Sequence, residues 1–327
     1  MTRRHIMRAT VCALVLALAC VPLNAAADGT PVDALADEPA FAAPLYVEAN
    51  TDAAVAERRL RAAGQTVQAD RIRQIASQPT AVWLGDWWSE ALMRSVIRRH
   101  VAAASAQGAS LVFVTYAVPN RDCGGHSAGG TEYSEYLAWN RVVAEELTGT
   151  SAVVLVEPDS LSLLSSAKCA GEAELRLPLI SQAVDILDAA GLTVYLDGGN
   201  SRWLTPAVQA DWLKRAGIAR AEGFYTNVSN FVATQLEADY AGKVSSRVGW
   251  KHYVIDVSRN GPGWQGGWCN PAGAALGVNP KIADGTTKLD ALLWVKHPGA
   301  SDGPCNGGPA AGAWFESYAL SLVTNRR

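Results

Sequence analysis

Four apolar residues in a row, Val153-Val154-Leu155-Val156, run straight into Glu157-Pro158-Asp159. Three of the four are Val, and an unbroken run of this kind suits a strand covered on both faces, as in an α/β barrel or a parallel sheet. Pro158 cannot donate to a sheet ladder, so the strand must end there and a loop begin. Asp159 then stands at the C-terminal mouth of a buried strand, the place where parallel α/β folds carry their reactive groups.

The same rhythm repeats along the chain. Strands are predicted at 81–84, 110–116, 192–196, 223–226, 252–255 and 291–295. Helices are predicted at 51–63, 66–76, 89–106, 133–147, 175–190, 205–216, 231–241 and 312–322. Thr205-Pro206 has the N-cap and first-turn order of a helix start. About seven strands separated by helices predict a single α/β domain with a mostly parallel sheet. The pattern alone leaves open whether that sheet closes into a barrel. A long loop rich in Gly, Pro and Trp separates the last two strands, over residues 258–280.

The N-terminus reads differently. Arg3, Arg4 and Arg8 precede an apolar run from Ala9 to Leu23, and Ala25-Ala26-Ala27 follows. Basic, apolar and small residues in that order are expected to form a secretory signal over residues 1–27. The apolar run is short for a bilayer span of ~20 residues. Residues 28–44, rich in Ala, Pro and Asp, read as a linker or loose arm, with the folded domain over 45–327. Export explains the cysteines. Cys12 and Cys20 would leave with the signal, and Cys123, Cys169, Cys269 and Cys305 form an even set suited to two disulfides in an oxidising compartment. Three pairings are open, of which the simplest joins sequence neighbours. No Cys/His spacing suggests a metal, and no cofactor is implied.

Net charge is −3 with no basic run in the mature region, which argues against nucleic acid as a partner. No Gly-x-Ser-x-Gly elbow or dinucleotide fingerprint is present. His252 reads as strand core and His100 as helix surface. The informative regularity lies at the strand ends. Tyr116 and Asp122 follow the second strand, Asp159 the third, Asp197 the fourth, Asp256 the sixth, and Lys296 with Asp302 the last. Capping of the next turn explains any one such Asp; together they point to acid/base chemistry or a cation site. Eleven Trp accompany them. Trp83, Trp203, Trp264 and Trp268 fall near the carboxylates, where flat aromatic faces suit sugar rings, while Trp139, Trp212 and Trp314 read as core.

Several stretches together resemble glycoside hydrolase family 6, the cellulases that cleave β-1,4-glucan. They are Tyr116-Ala117-Val118-Pro119-Asn120-Arg121-Asp122-Cys123, Val156-Glu157-Pro158-Asp159-Ser160-Leu161, Tyr195-Leu196-Asp197-Gly198-Gly199, Thr226-Asn227-Val228-Ser229-Asn230, Asp256-Val257-Ser258-Arg259-Asn260-Gly261, Trp268-Cys269-Asn270-Pro271, and Leu293-Trp294-Val295-Lys296 through Ser301-Asp302-Gly303. The resemblance runs from about Trp83 to the C-terminus, in register.

It implies a distorted (β/α) barrel and disulfides joining Cys123 with Cys169 and Cys269 with Cys305. It also implies Asp159 as general acid, Asp122 as the neighbouring charge, and Asp302 as base or as part of a water relay. Tyr116 would lie beneath the distorted sugar. Trp83, Trp203, Trp268, Lys296, Asp197, Asn200 and Asn230 would line the substrate, an extended β-1,4-glucan. The family inverts at the anomeric carbon, which requires water opposite the acid. Asn200, Ala300 and Ala128 replace residues the family commonly has as His, Glu and Ser, although Ser127 lies beside Ala128. The short stretch 303–311 after Asp302 suggests an open, internally cutting cleft. The resulting expectation is a secreted, monomeric endo-β-1,4-glucanase with no membrane association once the signal is cleaved. A glucan-binding protein with weakened catalysis, or a hydrolase of a related β-glucan, is the second reading.

Overall fold

The computed structural model describes residues 39–326 apart from residue 43. The expected signal segment, and the expected linker up to residue 38, lie outside the described residues.

Eight strands form one sheet among the described residues. β1 (Val82–Gly85), β2 (Val112–Tyr116), β3 (Val153–Val156), β4 (Thr193–Asp197), β5 (Gly223–Thr226) and β6 (His252–Asp256) pair in sequence order, all parallel. β8 (Leu289–Leu293) adds to β6 in parallel. β7 (Lys281–Ile282) pairs with β8 antiparallel at the edge. This short strand was not expected from the sequence. Two residues carry no readable period, and an edge strand of that length needs none.

The sheet curls into a distorted barrel whose first and last parallel strands share no ladder. The seam is crossed by Ala81 N–H donating to the Trp294 carbonyl (3.1 Å) and by Trp83 Nε1 donating to the Val295 carbonyl (2.8 Å).

Helices α1 (Asp52–Ala62), α2 (Thr66–Ala76), α3 (Glu90–Gln107), α4 (Tyr136–Leu147), α5 (Ala173–Ala189), α6 (Pro206–Arg215), α7 (Thr234–Ser245) and α8 (Glu316–Thr324) accompany the sheet. Their ends follow local chemistry. Ser89 and Thr205 accept hydrogen bonds from Leu92 N–H and Val208 N–H at the starts of α3 and α6.

β3 shows why a continuous apolar run was needed. Val154 and Val156 pack in the cluster beneath the helices, while Val153 and Leu155 pack inside the barrel with Val114, Tyr195, Tyr225 and Val254. Successive side chains point to opposite faces, and both faces are covered.

Two local expectations change. His100 is buried at 4% exposure rather than on the helix surface, because Tyr46 Oη and the Glu48 carboxylate approach its Nδ1 at 3.3 and 2.9 Å. The arm expected over 28–44 is docked at its end. Phe41 is buried in the barrel-interior cluster, and the Pro44 carbonyl accepts from Ser110 N–H at 2.7 Å.

Truncating Leu155 to Ala removes a side chain that is fully buried inside the barrel. Chemical denaturation is expected to show a loss of about 2–5 kcal/mol. A loss below about 1 kcal/mol would mean the barrel interior collapses around the gap.

Candidate active site

The strand-end carboxylates collect at the C-terminal mouth but divide into two kinds. Asp197 ends β4 and is buried. Its Oδ2 accepts from Leu161 N–H (3.1 Å) and Ser162 N–H (3.3 Å), and its Oδ1 from Gly199 N–H (3.0 Å). It therefore ties the loop after β3 to the end of β4. Asp256 does the same after β6, accepting from Ser258, Lys296 and Ser229 N–H groups. Glu157 holds a third knot. Fully buried at the end of β3, it accepts from Ala117 and Val118 N–H and from Tyr136 Oη. These groups satisfy loop backbone that would otherwise be left dry and unpaired.

Asp159 is of the other kind. It is half-buried, and its carboxyl accepts no hydrogen bond among the described residues. Its backbone sits in the left-handed region at φ 68°, costly for a residue with a Cβ, and the Asp197 bonds just downstream hold it there. Burial first, then the charges of Asp197 and Asp122, push its carboxyl well above the ordinary aspartate range, against the opposing pull of Lys296.

Asp122 opens a one-turn 3-10 helix, also at positive φ. Its Oδ2 accepts from Ser127 N–H (2.9 Å) and Ser127 Oγ (3.0 Å), and Ser127 Oγ lies 2.8 Å from Tyr116 Oη. Ser127 thus links Tyr116 to Asp122 at the position next to Ala128. The carboxylate can turn in only because residue 125 is glycine, since a Cβ there would lie 2.2 Å from Asp122 Oδ2. Burial and the nearby Asp159 charge push the Tyr116 phenol above its usual value. Arg121 stacks on the Tyr116 ring at 4.4 Å and pairs with Asp86.

Asp302 is 7% exposed and heavily partnered. Its Oδ2 accepts from Arg259 Nη1 (2.8 Å) and Asn270 N–H (3.0 Å), while Lys296 Nζ lies 3.3 Å from Oδ1. Burial alone would raise its pKa, but Arg259 and Lys296 outweigh that and hold the carboxyl below its ordinary value. Burial in turn lowers the pKa of Lys296.

Among the aromatic residues, Trp83 is half-buried and meets the Tyr116 ring edge-on at 5.0 Å. Trp203 and Trp268 are 36% and 52% exposed, and Trp268 stands 5.8 Å from the His126 ring. Asn200 is buried and its Oδ1 accepts from Arg202 N–H, so it shapes its own turn. Asn230 donates to the Val228 carbonyl. Neither amide bonds to the carboxylates among the described residues.

Two disulfides brace the mouth: Cys123 is bonded to Cys169 and Cys269 to Cys305. Glu157, Ser127, Arg121, Arg259 and Asn270 carry much of this geometry and were given no role from the sequence. The signal for Ser127 was its place beside Ala128, and for the others their place inside the stretches around Asp122, Asp159, Asp256 and Trp268. One further group of potential metal ligands among the described residues, Glu222, His252 and Asp290, lies at the opposite ends of the strands. There His252 is half-buried, Nδ1 to Asp290 (2.7 Å) and Nε2 to Lys288 Nζ (2.8 Å).

An α/β barrel whose mouth gathers a carboxyl pushed above the ordinary range and accepting no hydrogen bond among the described residues, a second carboxyl held below that range, and exposed indole faces is the architecture of a carbohydrate-cleaving enzyme. The sequence profile of Glycosyl hydrolases family 6 matches residues 38–326, and the chain belongs to that family. Endoglucanase A of Cellulomonas fimi is 41% identical over 256 residues, a stretch covering 78% of this chain and 56% of that protein. Endoglucanase 1 of Streptomyces halstedii is 34% identical over 328 residues, covering 97% of both. The endoglucanase Cel6 of Mycobacterium tuberculosis, solved in complex with methyl-cellobiosyl-4-deoxy-4-thio-β-D-cellobioside, superposes with a TM-score of 0.81 at 37% identity. That superposition covers 88% of this chain and 99% of the other.

A raised carboxyl pKa is a stability cost at neutral pH. The folded state disfavours the charged form of Asp159, so the penalty is full above the raised pKa. It shrinks as pH falls and vanishes near pH ~4, where the unfolded carboxyl also takes its proton. Asp159→Asn is therefore expected to unfold at a higher temperature than the parent at neutral pH, with the gap closing by about pH 4. A variant no more stable at neutral pH would contradict this electrostatic account.

Proposed function

We propose that this protein is a secreted, inverting endo-β-1,4-glucanase. The single observation that carries the reading is the contrast between two carboxyl groups at one mouth: Asp159 accepts no hydrogen bond among the described residues and is pushed above the ordinary range, while Asp302 is clamped by Arg259, Asn270 N–H and Lys296 and held below it. Glycoside cleavage needs a proton for the leaving oxygen and a site for water on the other face of the sugar. Asp159, whose carboxyl is not engaged by loop N–H groups as Glu157, Asp197 and Asp256 are, would donate it. Asp122, with Ser127 and Tyr116, forms a polar chain that would orient water beside it. Asp302 is clamped by Arg259 and lowered in basicity, which favours a role in positioning water over direct proton abstraction. Lys296 and the faces of Trp83, Trp203 and Trp268 would hold the sugars.

Further support comes from the relatives, whose names record endoglucanases, and from the cellobioside analogue bound to the Mycobacterium tuberculosis structure. Internal cutting is favoured by the segment after Asp302. Its residues fold back on themselves through Ser301 N–H to the Ala313 carbonyl, Gly312 N–H to the Ser301 carbonyl and Gly308 N–H to the Cys305 carbonyl. Export is supported by the basic–apolar–small order of residues 1–27 and by the two disulfides. None of the helices among the described residues is long and apolar enough to cross a membrane.

Proton NMR of the protein with a soluble β-1,4-glucan oligosaccharide is expected to show the α-anomer first, and Asp159→Asn to slow its appearance by about 10²- to 10⁴-fold. Early β-anomer would mean retention and would overturn the mechanism. Binding without any new anomeric signal would instead support a glucan-binding protein of weakened catalysis. On carboxymethyl cellulose, viscosity is expected to drop well before reducing ends accumulate. Viscosity that falls only in proportion to the reducing ends released would contradict internal cutting.

A further inference from the structure

Trp87 follows β1 by two residues and is half-exposed at 50%. Along β1, Val82 and Leu84 pack beneath the helices while Trp83 packs on the barrel interior. By the period of two, Gly85 faces the same side as Trp83, and it pairs with Tyr116 across the ladder.

The missing side chain at residue 85 is what admits Trp87. A Cβ there would lie 2.0, 2.3 and 2.4 Å from Cζ3, Cη2 and Cε3 of the Trp87 ring. The indole therefore folds back over the strand end onto Gly85. Arg121 holds it there, its Cζ 5.8 Å from the Trp87 ring and 4.4 Å from the Tyr116 ring. Arg121 is itself 7% exposed and fixed by Asp86 and the Ser127 carbonyl. On the other side the half-buried Trp88 meets Trp87 edge-on at 5.9 Å.

An indole packed on backbone, braced by a buried guanidinium and still half-open to solvent offers a flat apolar face that loses little freedom on binding. Its place at the mouth, in line with Trp83, suits the C–H face of a pyranose.

We propose that Trp87 is a platform for an outer glucosyl unit of a β-1,4-glucan, extending the cleft past Trp83 on the β1 side. The assignment rests on the reading of the mouth as a β-glucan cleft. It gives Gly85 a purpose and Arg121 a second one, since both fix the plane of the ring.

The test is the length dependence of kcat/KM from cellotriose to cellohexaose. For Trp87→Ala the ratio of cellohexaose to cellotriose is expected to fall about tenfold through KM, with Trp87→Phe recovering most of it. An unchanged ratio would overturn the proposal, and so would an equal loss at every length, which would mark Trp87 only as a brace for Arg121 and Tyr116. Should the parent protein cleave none of these sugars, the endoglucanase reading fails by itself. Cellohexaose binding by calorimetry then decides the platform: about tenfold weaker binding to Trp87→Ala supports it, and equal binding overturns it.

Discussion

The mouth of this barrel is governed by the burial of crowded carboxyl groups. Burial acts first to raise the pKa of Asp159, and the charges of Asp197, Asp122 and Asp302 add to it. The crowding is tolerable because each neighbour accepts hydrogen bonds that the Asp159 carboxyl, among the described residues, does not. Asp197 accepts from backbone N–H groups, Asp122 from Ser127, and Asp302 from Arg259, Asn270 and Lys296. Asp159, whose carboxyl accepts no hydrogen bond among the described residues, is pushed well above the ordinary aspartate range against the pull of Lys296. The site is thus defined as much by which acids are satisfied as by which acids are present.

The same bonds build the loops. Glu157, Asp197 and Asp256 each stand at a strand end and reach across to N–H groups of a neighbouring loop. Positive-φ residues cluster in these loops, including Asp122, Glu157, Asp159, Asn227 and Asn270. Such conformations cost about 1–3 kcal/mol each and persist only where the surroundings over-determine them. The buried carboxylates and the two disulfides supply that determination. Loss of one tie would loosen a loop and move a charge in a single step, so loop conformation and acid strength are coupled here.

Much of the fold was legible because its signals are local and strong. The β3 run, the alternation of strands with helices, and the Thr205-Pro206 helix start all act within a few residues. β7 escaped because two residues hold no pattern. His100 was misjudged because Tyr46 and Glu48, which bury it, come from a distant segment. At the site, Asp at the strand ends was visible, but the sequence could not tell Asp256, whose carboxylate is tied into backbone, from Asp159, whose carboxyl accepts no hydrogen bond among the described residues. That difference lies in N–H groups contributed by other loops. Ser127 beside Ala128 shows the same limit, since a shift of one residue looks like a loss until the loop geometry places Ser127 between Tyr116 and Asp122.

The most direct test of this account is the proton affinity of Asp159 itself. Carboxyl ¹³C NMR of protein labelled at aspartate Cγ, with the Asp159 signal assigned by its loss in Asp159→Asn, would follow the titration. The account predicts a midpoint well above the ordinary aspartate value of about 3.9, moving down when Asp122 is changed to Asn. A midpoint near 4, or one indifferent to Asp122, would contradict it.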